Sequence, residues 1–267
     1  MELLLIGNAG EDSIRTGEWD FQEVQFASLD QLDIEPSIRL PMEAASVTIG
    51  LLRGRISAAE MDARYKVFSG SIDDTDLASS LPDTLGWAAF ADGRFADAAA
   101  AWLENAEISA LNAPYTLPRM AHAALLAGDP ALAQQALERL ARTGAQGKAI
   151  DVDRTAIAAG LAALEGRRGD AVAGYRAALA GWRDLGLPWD EVVTSIEFVR
   201  FLGPDEPEAA AAADAARVIL ERLEAVRILA ILDESVELGR ARAGAARNTE
   251  TAGRATPSAD EGASIIG

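Results

Sequence analysis

The chain lacks cysteine altogether, which excludes a disulfide framework, a thiolate metal site and a sulfur nucleophile. It has a single histidine, His122, so zinc chemistry built on paired imidazoles has no basis. Lysine is almost as scarce, with only Lys66 and Lys148. Basic residues are the minority, 24 against 42 acidic ones, and the net charge of −18 disfavours non-specific attraction to nucleic acid or to an anionic membrane. Long apolar runs are missing as well. Glu2-Leu3-Leu4-Leu5-Ile6 falls far short of the roughly 20 residues that span a bilayer, and it lacks the basic flank of a signal peptide. These absences lead to an expectation of a cytoplasmic protein with no metal or cofactor and with neither nucleic acid nor membrane as partner.

What is present is alanine, at 56 of 267 positions, a composition that favours helix. Glycine then sets a rhythm. Gly17, Gly54, Gly93, Gly128, Gly166 and Gly203 stand 37, 39, 35, 38 and 37 residues apart, each at the end of a helix-like apolar pattern, where glycine supplies the left-handed turn that stops a helix. Seven residues before the glycine stand the small residues Gly10, Gly86, Ala121 and Ala159; five after it stand Ala59, Ala98, Ala133 and Ala171. Four further on, Phe26, Trp102, Leu137 and Tyr175 are bulky. Small residues at two fixed positions let antiparallel helices approach to about 8–10 Å, and the bulky one fills the gap toward the next pair. The spacing predicts six helix pairs, with first helices near 3–16, 38–53, 79–92, 115–127, 151–165 and 189–202 and partners near 19–31, 57–69, 95–110, 130–142, 170–185 and 207–223. Linkers are expected at Asp30–Pro36 and Gly70–Asp76. A capping helix is expected near 226–238, closing a repeat domain over 1–238. Beyond it Gly, Ala, Thr, Ser and Pro dominate, and residues 239–267 read as a disordered tail.

Leu85-Gly86-Trp87, Gly93-Arg94-Phe95, Ala98 and Trp102 resemble one copy of the tetratricopeptide repeat. That likeness implies an all-α, right-handed superhelical solenoid of about six antiparallel helix pairs with a C-terminal capping helix. The linear order of Gly17-Glu18-Trp19-Asp20, Gly186-Leu187-Pro188-Trp189, Phe201-Leu202-Gly203-Pro204 and Ala215-Ala216-Arg217 is similar to the C-terminal helical region of large bacterial signalling ATPases. In those proteins a nucleotide-cyclase or DNA-binding domain and a P-loop ATPase module precede such repeats. Glu224 departs from the pattern, which would place Gly after Arg222-Leu223.

No catalytic constellation is expected. Thr143–Ala149 lacks the first glycine and the final hydroxyl of a phosphate loop, those positions being Arg142 and Ala149. Ser71–Asp76 lacks the glycine and terminal glutamate of a calcium loop. Asp151 and Asp153, like Asp205 and Glu206, fall at expected helix starts, where acids complement the helix dipole. Trp182 and Trp189 read as packing around the turn at Gly186. The concave register of the array carries the partner-binding candidates. Trp87, His122 and Glu197 stand six residues before their glycines, and Tyr115, Asp153 and Arg200 are assigned to the neighbouring turn. A second candidate interface is the N-terminal edge, where Leu3, Leu4, Leu5 and Ile6 have no preceding helix to cover them; an upstream domain or a second copy of the chain would do so. The expected role is a non-catalytic scaffold for protein–protein or interdomain contact, the sensor or interaction part of a signalling ATPase or cyclase. The alternatives are a free-standing adaptor and, more remotely, an enzyme using groove carboxylates.

Overall fold

The computed structural model describes residues 12–29, 34, 36–66 and 75–254, and among them all regular structure is helical, with no strand. The helices follow the glycine spacing. Residues 12–16 (α1) precede α2 (Trp19–Leu29), α3 (Pro36–Leu52), α4 (Ala58–Lys66), α5 (Thr75–Ala91), α6 (Phe95–Ile108), α7 (Ala113–Ala127) and α8 (Pro130–Arg142). Then come α9 (Lys148–Leu164), α10 (Arg168–Leu185), α11 (Pro188–Leu202), α12 (Pro207–Arg222) and α13 (Val226–Arg254). Leu3–Ile6 lie outside the described residues, as do the tail beyond Arg254, most of the Asp30–Pro36 linker and Gly70–Asp74.

All six rhythm-setting glycines have positive φ, between 72° and 79°. Four of them end their helices in one motif: the glycine N–H bonds three residues back and the next N–H five back, as in Gly93 N–H to Phe90 O (3.0 Å) and Arg94 N–H to Ala89 O (2.8 Å). Glu224 occupies the same position at the end of α12 with φ 56°, its neighbour Ala225 reaching back to Leu220 O. It is the one non-glycine residue among those described that takes the left-handed conformation, at the place where the repeat pattern calls for glycine.

The small residues do what their spacing implies. Ala98, Ala133 and Ala171 are fully buried. A Cβ built on Gly86 would lie 2.5 Å from Trp102 Nε1, so the glycine in α5 makes room for the indole from α6. Ala59 is exposed and departs from the rule. In the last pair the buried position slips by one residue, from Glu208 to Ala209.

Two expectations are corrected. The helices expected from about 79 and 115 begin earlier, α5 at Thr75 and α7 at Ala113, so that Pro82 and Pro118 fall in their interiors and α5 takes in Thr75 and Asp76 from the expected linker. The C-terminal helix does not stop at 238 but continues to Arg254. Its small residues pack instead of fraying: Gly239 lies against Val199 O of α11, and Ala243 approaches Gly203.

The ends of the array meet. In an open stack each repeat touches only its neighbours, yet here α13 packs on α3 and α5 as well as on α11 and α12. Buried Arg53, at the end of α3, donates to Leu223 O (2.9 Å) and to Glu23 Oε2 (2.7 Å) while lying over the Trp19 ring. Arg227 pairs with Asp92, and Arg55 bridges Glu23 and Glu224. Trp189 of α11 contacts Trp19 and Trp87, with ring centroids 5.9 and 5.6 Å away. The first, third and sixth pairs are thereby joined at one aromatic cluster.

Candidate functional site

This closure turns the inner side of the array into a cavity of about 610 Å³. Its walls come mainly from the first helices of five pairs, α1, α5, α7, α9 and α11, joined by Trp102 of α6 and Leu185 of α10, with the α8–α9 loop at its mouth. Trp87, Phe90, Trp102, Tyr115 and Trp189 supply aromatic surface. Trp87 and Trp102 meet edge to face at 5.4 Å, and the Arg119 guanidinium lies 4.9 Å over Trp87. At the mouth Tyr115 and Leu111 are 61% and 75% exposed, unusual for large apolar side chains.

The floor is ionic. His122 meets Glu197 through Nδ1 at 2.7 Å, and its Nε2 lies 3.9 Å from Asp153, beyond hydrogen-bond contact. Tyr175 O–H donates to the other oxygen of Glu197 at 3.4 Å, a route opened by Gly160, whose built Cβ would stand 3.2 Å from that hydroxyl. Burial alone would push the imidazole down, but the charges of Glu197 and Asp153 on either side of the ring, with the hydrogen bond to Glu197, raise it to about 10. Burial also pushes Glu197 above the ordinary carboxylate value, with His122 and Tyr175 holding part of the rise back. The same burial, reinforced by Glu197, raises the Tyr175 phenol well above its usual range. Beside this group Arg15 grips Asp190 with Nε and Nη2 at 2.9–3.2 Å. Desolvation still leaves Asp190 raised, against the opposing pull of Arg15.

Four of the six partner-binding candidates, Trp87, Tyr115, His122 and Asp153, line this one cavity. Glu197 sits beneath them, fully buried, as the partner of His122. Arg200 does not join them. It turns toward α13, over the Phe95 ring at 5.4 Å and within 3.4 Å of Ser235 Oγ and Leu126 O. The sequence did carry a signal for the missing member: thirteen residues before Gly128, Gly166 and Gly203 stand Tyr115, Asp153 and Asp190, whereas Arg200 precedes Gly203 by three. Trp189, expected to pack a turn, is a cavity wall, while Trp182 is buried with its N–H on Thr194 Oγ1.

Among the described residues no three of His, Asp and Glu are arranged to hold a metal ion, and no helix is long and apolar enough to cross a membrane. Comparison with protein-family models, with curated proteins and with solved structures gave no match.

Proposed function

We propose that the chain is a non-catalytic helical-repeat receptor module, the sensor part of a signalling protein, which binds its ligand on the inner side of a tetratricopeptide-like right-handed array. One observation carries this reading: first helices from five pairs converge on a single cavity whose volume is in the range of small-molecule sites. A ligand held there touches the first, third, fourth, fifth and sixth pairs at once, so occupancy would bear on the packing of the whole array. The floor suits binding better than acid–base work. A general base operates best with a pKa near the working pH, whereas His122 is held at about 10 and Asp190 is locked on Arg15.

A second reading, a scaffold for a protein partner, is favoured by exposed Leu111 and Tyr115 at the mouth. The two separate in one experiment. A small-molecule and peptide library is screened by tryptophan fluorescence against the wild type, Val193→Trp, which fills the cavity, and Leu111→Asp with Tyr115→Asp, which spoils the rim. The receptor reading expects binders that are lost in Val193→Trp while its circular dichroism is unchanged. Binders that survive in folded Val193→Trp but vanish in the rim variant would replace it with the scaffold.

A further inference from the structure

Resting on the receptor reading above, we propose that the cavity takes an organic cation with an apolar body, an amine or quaternary ammonium of modest size. The charges around the cavity cancel in pairs: Arg15 with Asp190, Arg119 with Asp83 at 3.0 Å, and His122 with Glu197. Asp153, 4% exposed on the cavity wall, is the second carboxylate of His122, its Oδ1 3.9 Å from Nε2, so one imidazolium faces two carboxylates and the group keeps one negative charge in excess. A carboxylate so far out of water favours any cation that can reach it. Trp87, Trp102, Trp189, Phe90 and Tyr115 line the same cavity, and the quadrupole of an aromatic face attracts cations and repels anions. The fold already uses that attraction twice beside the cavity, with Arg119 over Trp87 and Arg15 over Trp182 at 5.6 Å. At long range the net charge of −18 draws cations toward the mouth. Exposed Lys148 at the rim works against them, weakly because it is solvated.

The test uses three probes with one apolar body: 3-phenylpropyltrimethylammonium, 3-phenylpropanol and 4-phenylbutyrate, titrated into the full chain by calorimetry. The cation should bind at least tenfold more tightly than the alcohol, and the carboxylate most weakly. Asp153→Asn should erase that preference. Lys148→Glu, a change on an exposed side chain that leaves the core untouched, should strengthen the cation several-fold and weaken the carboxylate. Equal binding of the alcohol or carboxylate, or a cation affinity unmoved in Asp153→Asn, overturns the cation inference and leaves the receptor reading standing, provided Val193→Trp still abolishes binding. If library members bind in the cavity and none of the three probes does, the cation inference falls alone. If neither probes nor library bind, both fall.

Discussion

At neutral pH His122 carries its proton between two carboxylates, whereas in the unfolded chain it titrates near 6.5. A folded pKa raised to about 10 means that the stabilisation is complete below pH 6.5 and is lost as pH rises through 10. Thermal unfolding followed from pH 6 to pH 10 should therefore show a falling melting temperature. In His122→Gln the fall should be flatter, with lower stability at pH 6 because Glu197 loses its charged partner. A wild-type profile as flat as that of the variant would mean that the pair does not form. Several of these site residues were legible beforehand. Trp87, Tyr115, His122 and Asp153 share a cavity because the helix-ending glycines fix where a turn faces, and counting back from them reads that face directly. Asp190 was within reach of the same count. Arg15 was not, since its partner is 175 residues away and depends on how far the array curves.

Helix lengths were less legible than helix positions. The apolar pattern puts the starts of α5 and α7 near 79 and 115, yet both helices begin earlier and carry Pro82 and Pro118 in their interiors, where tertiary packing overrides the local cost. The stretch after 238 misled for a related reason: glycine and alanine look alike in a loose tail and in a close helix contact. Gly239 shows which applies, since a Cβ there would stand 2.1 Å from Val199 O, a backbone atom that cannot rotate away. Gly239→Ala should cost about 3 kcal/mol by forcing α13 off α11. Gly244→Ala, with nothing within 4 Å, should instead stabilise by about 0.5 kcal/mol through helix propensity. Denaturant titrations of the two variants should move in opposite directions; parallel shifts would place the crossing elsewhere.

Over the whole molecule, the decisive contact is the one between its ends. Arg53 is buried where α3, α2 and the end of α12 converge, and its removal leaves Leu223 O without its donor while Glu23 loses a partner. Arg53→Ala should cost about 2–4 kcal/mol and enlarge the scattering radius as the ends part. Arg94→Ala, which removes only the surface pairings with Asp97 and Asp92 and leaves Asp92 on Arg227, should change neither. An Arg53→Ala protein with wild-type stability and radius would show that other contacts suffice to hold the ends. A linear stack can unzip from either terminus, losing one pair at a time while the rest persists. A stack whose first pair leans on its last has no free terminus from which to begin, so fraying at one end removes support from the other. Melting of this array is then a single shared transition, and shortening the chain by a pair at either end would weaken the far end as much as the near one.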